Sequence, residues 1–373
     1  MRVLILEPSG QLWGSERVLL ELIDSLPPGS VELAVCCPPN VPIIEQFLQR
    51  RIPMFPCFTA NLHRKSRFAR LTALLRFLRV VGRFRPDLIY LSAGGCAKFG
   101  VWARKLWGVP VVAGVKLVED IAYLSSPAGQ QLDSIICVSR FIRADFLRRG
   151  VIPEDSLKLI YDPYVPQFDW TAVSAVDQPR NPDEFVCVAR LAHSKGQDLV
   201  VRAIAVLKNR GYPVRVRFVG DAEPGSIFAE TLKELAADLD VSDCCEWLGA
   251  RSNFFDYGEG CAAWLCPSRF DPFPRVMLAA IDSGSFPIAW SESGGPAELI
   301  KSSGGGLLYE DPSPESIADA MMRAALLTPE ARHQIVEGGR RFIAENCNPV
   351  VNAEQTLNVW RDCAQTGGRK RST

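Results

Sequence analysis

Short apolar runs alternate along the chain with stretches whose apolar positions recur every three or four residues. Strand signals fall at 3–7, 32–36, 88–91, 109–115 and 134–138. Helical periodicity falls at 15–25, 42–50, a basic stretch ending near Arg85, and 97–106. Strands that are apolar throughout are buried on both faces, and their alternation with helices gives parallel sheets covered on both sides. From Tyr161 to Phe185 the pattern dissolves into a segment rich in Pro, Asp and Asn, the best place for a domain boundary. A second series follows at 185–189, 214–219, 246–248, 263–266, 286–289 and 306–309. The expectation is an α/β protein of two Rossmann-like domains, 1–165 and 166–345, with a closing segment at 346–373. Two such domains facing across a cleft would take ligands beyond the carboxyl ends of their strands.

Composition narrows the class. With 47% hydrophobic and 23% charged residues among 373, the chain reads as a soluble globular protein of two cores. Its apolar runs, such as 109–115, are too short to cross a bilayer. The first run meets Glu7 and Pro8 at once, so it reads as a buried strand and not a secretory leader, and a cytoplasmic location is expected. Twelve cysteines without a C-x-x-C spacing point to reduced, buried thiols instead of disulfides or zinc. The zero net charge hides an asymmetry: residues 1–165 carry 21 Lys and Arg against 14 Asp and Glu, a net of +7, and the remainder, 21 against 28, a net of −7. The basic half is where an anionic surface would bind.

The stretch from Ser268 to Ala280 carries the clearest chemistry. A strand at 262–266 leads into a loop bearing Asp271, and a helix starts near Pro274, whose fixed φ suits the first helical turn. At that helix start the unpaired backbone N–H groups from Arg275 onward would face a phosphate, while Asp271 accepts hydroxyl hydrogen bonds. Such a loop suits a sugar phosphate or a nucleotide sugar.

Arg190-Leu191 and Lys195-Gly196 follow the strand at 185–189. Alone, such a pair is an ordinary surface feature. In order after it come Phe218-Val219-Gly220-Asp221, Trp247-Leu248-Gly249 with Arg251 beyond, Cys266-Pro267-Ser268, the Asp271 loop, and Gly294-Gly295 with Glu298. This order resembles family 4 glycosyltransferases, retaining enzymes of GT-B fold, over nearly the whole chain. The resemblance implies that Arg190 and Lys195 grip the donor diphosphate, stabilising the leaving group as its charge develops. It implies that Asp271 meets sugar hydroxyls, and that Gly220, Arg251, Phe273, Pro274, Arg275, Val276 and Glu298 line the donor. Gly14-Ser15-Glu16-Arg17 resembles the family's opening of the first helix: Gly14 lets the backbone approach the ligand, and Ser15 is either part of that site or the helix N-cap. The terminal helix, with Leu357 and Trp360, is expected to pack back on the first domain. Two departures stand out. Ala279 sits where the family carries a second acid for the ribose, so restoring it with Ala279→Glu should tighten donor binding. Lys116 sits where many relatives carry a sugar-contacting His; it is read as a donor ligand or a solvated lysine.

Residues 61–85 hold Arg64, Lys65, Arg67, Arg70, Arg76, Arg79, Arg83 and Arg85 and no acid. Leu71, Leu74, Leu75, Leu78 and Val81 are assigned to one helix face and Arg76, Arg79 and Arg83 to another, the basic one facing an anionic membrane. No nucleic-acid motif accompanies the charge. Asp238-Leu239-Asp240 ends a helical segment and reads as surface, not as a metal site, and no strand is followed by G-x-G-x-x-G, so neither metal nor redox cofactor is expected. The expected function is transfer of a sugar from a nucleoside diphosphate sugar to a glycan or lipid-linked acceptor, without metal, at the inner face of the cell membrane. The alternative is a non-catalytic or weakly active relative that binds a nucleotide sugar or serves as a subunit.

Overall fold

A computed structural model describes residues 1–57, 67–170 and 180–369. Its elements in chain order begin β1 (Arg2–Leu6), α1 (Gly14–Ser25), β2 (Glu32–Cys37), α2 (Ile43–Gln49), β3 (Met54–Pro56), α3 (Arg67–Phe84) and β4 (Leu88–Leu91). Next come α4 (Ala97–Trp107), β5 (Val111–Gly114), α5 (Val118–Leu124), β6 (Ser134–Cys137), α6 (Arg140–Arg149) and β7 (Leu157–Leu159). The second series is β8 (Asn181–Val188), α7 (Gln197–Asn209), β9 (Arg215–Val219), α8 (Phe228–Asp238), β10 (Cys245–Gly249), β11 (Cys261–Cys266), α9 (Arg275–Asp282) and β12 (Pro287–Trp290). It closes with α10 (Gly295–Ser303), β13 (Leu307–Tyr309), α11 (Pro314–Ala325), α12 (Pro329–Asn346) and α13 (Pro349–Arg369).

The chain divides into two units, Met1–Val165 with Cys347–Thr373, and Pro166–Asn346. The first holds a seven-stranded sheet in the order β3-β2-β1-β4-β5-β6-β7, the second a six-stranded sheet in the order β10-β9-β8-β11-β12-β13. Every strand pair in both is parallel. The order reverses at β1/β4 and at β8/β11, so the carboxyl ends of those strands are the crevices where open α/β sheets hold ligands. All twelve cysteines are free, eleven of them buried.

In the first unit α1, α2 and α13 cover one sheet face. Trp360 of α13 is fully buried in that core with its ring 5.1 Å from Tyr90. On the opposite face α3 seats Phe77 against Phe99 of α4, ring centroids 5.1 Å apart. This corrects the assignment of the α3 faces. The buried stripe is Ala73, Phe77, Val80, Val81 and Phe84, whereas Leu71 and Leu75 are more than half exposed. At 100° per residue, Phe68, Leu71 and Leu75 fall on the same outward arc as Arg76, Arg79 and Arg83. Arg64 and Lys65 lie outside the described residues, as do Lys370 and Arg371 of the basic tail.

Candidate functional site

In the second unit two loops separated by 76 residues meet. Strand β8 runs out at Val188, and the chain turns through Arg190 to a single 3-10 turn, His193–Lys195, which Gly196 ends in a left-handed conformation at φ 72°. Only glycine fits there, because a Cβ would stand 3.0 Å from the Pro267 carbonyl carbon and nearer still to its oxygen. The turn is thus pressed against the end of β11, and Lys195 forms a hydrogen-bonded ion pair with Asp271. The Asp271 side chain is 8% exposed and that of Lys195 24%. Burial works against the Lys195 charge, but Asp271 outweighs it and holds the ammonium above its ordinary pKa. Beneath the pair, burial and the Asp271 charge push the Cys266 thiol up to about 12, so it stays a thiol.

The Asp271 loop is itself stitched to the start of α10. Asp271 donates its N–H to the Ser293 carbonyl and accepts from the Gly295 N–H, both at 2.9 Å. Gly294 adopts φ 90°, which a side chain would resist. Beyond Asp271, Phe273 and Pro274 are buried, and Arg275 and Val276 open α9 half-buried. Pro274 corrects the sequence reading: with ψ 119° it is the extended N-cap of α9, not part of its first turn. Ala279 is buried with Val186, Val219, Trp264 and Ala280.

Arg190 pairs with Glu223, both substantially exposed. Gly220, whose N–H donates to the Gly249 carbonyl at 2.9 Å, lies against Ala189, where a Cβ would come 2.8 Å from the carbonyl carbon. The structure therefore gathers Lys195, Asp271 and the α9 start at one place, with Arg190 and Gly220 on the adjoining strand ends. Arg251 is exposed in the turn after β10, and Glu298 is half-buried in the first turn of α10.

Sequence reasoning passed over three bracing side chains. Arg269 forms a two-pronged pair with Asp198, at 2.9 and 2.6 Å, and also donates to the His193 carbonyl. Fully buried Gln197 donates to the Arg190 carbonyl at 2.9 Å and accepts from the Ala192 N–H at 3.4 Å. A polar pair opening a helix straight after the Lys195-Gly196 turn was the only local sign; the Arg269 partner is 71 residues away.

In the first unit Gly14 is the first residue of α1, and Ser15 is not its N-cap. Trp13 holds that position, with its N–H donating to Glu16 at 3.1 Å, while Ser15 donates to the same carboxylate at 2.9 Å. Buried Glu7, at the end of β1, accepts from Ser9 N–H at 2.8 Å, Gly10 N–H at 3.2 Å and Ser92 Oγ at 2.6 Å. Its pKa is raised, chiefly by burial. Lys116 is no solvated lysine: its side chain is 9% exposed and ion-paired with Asp162, itself 8% exposed.

Two parallel-sheet units with their polar clusters at strand carboxyl ends define an α/β protein of the GT-B type. Residues 13–167 match the model for glycosyltransferase family 4, and residues 170–342 the model for glycosyl transferases group 1. Together these matches span most of the chain, which belongs to the family 4 type of GT-B glycosyltransferases. An uncharacterised glycosyltransferase of Methanocaldococcus jannaschii is 24% identical over 265 residues, 68% of this chain and 65% of that protein. A glycogen synthase of Thermus thermophilus is 30% identical over 149 residues, 40% of this chain and 33% of the enzyme. The alignments thus cover less than two thirds of either relative. The fold is shared with the Anabaena protein HepE, solved in complex with UDP: TM-score 0.78 at 18% identity, covering 97% of this chain and 100% of that one. Among the described residues no helix is long and apolar enough to cross a membrane, and no three His, Cys, Asp or Glu side chains gather as metal ligands.

Proposed function

We propose that this protein is a retaining glycosyltransferase that moves a sugar from a nucleoside diphosphate sugar to a glycan or lipid-linked acceptor. One observation carries the reading: Lys195 and Asp271, a cation for a diphosphate and a carboxylate for hydroxyls, meet beside the start of α9. As the bond between the sugar and the diphosphate breaks, negative charge grows on the leaving oxygen. Lys195, kept charged by Asp271, and Arg190 stabilise that charge. Asp271 keeps its second oxygen for donor hydroxyls. The acceptor hydroxyl then attacks from the face the diphosphate leaves, and a phosphate oxygen takes its proton, so no protein base is required. The UDP bound to HepE makes UDP the first nucleotide to try. The outward arc of α3, with three arginines beside Phe68, Leu71 and Leu75, suits an anionic membrane and hence a lipid-linked acceptor.

Purified protein offered UDP-, GDP- and ADP-sugars should hydrolyse or transfer at least one, and Arg190→Ala and Lys195→Ala should each lower turnover by about 10²-fold or more. No turnover and no thermal stabilisation by any donor would refute the enzyme reading. That outcome would favour the second reading, a binding or partner subunit, for which the enclosed Ala279 in place of an acid is the motivating observation.

A further inference from the structure

Lys195 and Asp271 sit on separate loops whose backbones meet where Gly196 lies against Pro267. Arg269 lies two residues before Asp271, and its main-chain N–H adds a backbone bond to the Ser194 carbonyl at 2.9 Å, next to Lys195. Its guanidinium donates to the His193 carbonyl and forks onto both oxygens of Asp198, at 2.9 and 2.6 Å. Asp198 stands in the first turn of α7, three residues past Lys195. One side chain therefore reaches both the turn that precedes Lys195 and the helix that follows it. The Arg269 and Asp198 side chains are 29% and 21% exposed, so the pair is partly shielded from solvent. A bidentate guanidinium–carboxylate pair fixes orientation as well as distance, which a lysine in its place would not do. Beside Asp198, Gln197 holds the Arg190 and Ala192 backbone in the same way, so the first turn of α7 is the common anchor of both cations.

We infer that Arg269 and Asp198 are positioning residues for the Lys195–Asp271 pair. They touch no substrate themselves; they set where the ammonium stands relative to the carboxylate. The inference rests on the proposed function for its consequence in turnover, but not for its geometry.

The test is competitive acetylation of the full chain at fixed pH, read by mass spectrometry at Lys195. Lys301, whose ammonium donates to the Ser291 carbonyl at 2.7 Å, is the internal reference. In Arg269→Ala and Asp198→Ala, Lys195 should become roughly fivefold or more reactive relative to Lys301, because loosening the brace frees the ammonium from Asp271. Arg269→Lys should fall between, and the double alanine variant should match either single one. If Arg269→Ala does not fold, Arg269→Lys and Asp198→Asn carry the comparison. Lys195 reactivity within about twofold of wild type in folded variants would overturn the inference. Where wild type turns over a donor, kcat should fall about 10²-fold in Arg269→Ala; an unchanged kcat would equally overturn it. A wild type without turnover would refute the enzyme reading alone, since the labelling result still decides the role of Arg269.

Discussion

Gly295→Ala should cripple the donor site from a residue that carries no side chain. A Cβ at 295 would stand 2.6 Å from the Pro272 carbonyl carbon and 3.0 Å from Phe273 Cα, both backbone atoms. Carbon pairs rest at about 3.5–4.0 Å, so the segment around Pro272 must retreat by about 1 Å. That segment is tied to α10 by the two 2.9 Å bonds of Asp271 to Ser293 and Gly295. Each is worth about 0.5–1.5 kcal/mol, so straining both costs about 1–3 kcal/mol. For a unit of this size that lowers the melting midpoint by roughly 3–10 °C. The same retreat carries the Asp271 carboxylate away from Lys195, and a misplacement of about 1 Å lowers turnover by about 10²-fold. The assay is donor turnover with a parallel thermal melt, and Gly304→Ala is the control. Gly304 ends the same helix at φ 66°, and a Cβ there would meet no atom within 4 Å, so alanine costs only about 1 kcal/mol of backbone strain and leaves turnover intact. A Gly295→Ala protein that turns over and melts like Gly304→Ala would refute the reasoning.

Ala279→Glu, expected from the sequence to tighten donor binding, should instead destabilise the second unit by about 3 kcal/mol or more, because a carboxylate would be enclosed by Val186, Val219 and Trp264; a melt unchanged from wild type would contradict this. Burial opposes the Asp198 charge, but the Arg269 hydrogen bonds and charge outweigh it and hold the carboxyl below its ordinary value of 3.8. That stability is present above 3.8 and lost as pH falls through the lowered value, so the gap in melting midpoint between wild type and Asp198→Asn should close below about pH 4. A gap that stays constant with pH would count against it. Flotation with anionic vesicles should recover wild type but not a Phe68, Leu71 and Leu75 to Ser variant, with neutral vesicles recovering neither; equal recovery of both proteins would rule out this surface. Glu223→Gln should leave the melt unchanged, because exposed pairs contribute about 0–1 kcal/mol, and should tighten donor binding slightly by removing a carboxylate that competes with the phosphate for Arg190; weaker binding would mean that Glu223 itself contacts the donor.

The fold was legible where the pattern is long and doubly buried. Strands such as β4 and β6 are apolar throughout and surface as runs, and the helices read from the sequence, such as α1 and α4, each have their own period. The two edge strands β3 and β7 escaped because each has three residues and β7 exposes Lys158 at its centre. The α3 face was misjudged for a different reason. Leucines at helical spacing mark an apolar arc, but this helix has two such arcs, and the one bearing Phe77 and Phe84 packs inward, leaving Phe68, Leu71 and Leu75 outside.

The site was legible as residue types and illegible as partnerships. Arg190, Lys195 and Asp271 could be picked out because a cation or acid after a strand end is a local signal. Their partners are not local: Lys195 to Asp271 spans 76 residues, Arg269 to Asp198 spans 71, Lys116 to Asp162 spans 46 and Arg190 to Glu223 spans 33. Only folding reveals that the pairs differ in kind. Lys116–Asp162 is enclosed and Lys195–Asp271 is largely shielded, and breaking a shielded pair leaves a charge poorly compensated. Arg190–Glu223 lies in solvent and opens at little cost. On the proposed function this divides the labour between the two cations: Lys195 stays fixed against Asp271 and meets the diphosphate where it is, whereas Arg190 exchanges Glu223 for the phosphate as the donor arrives.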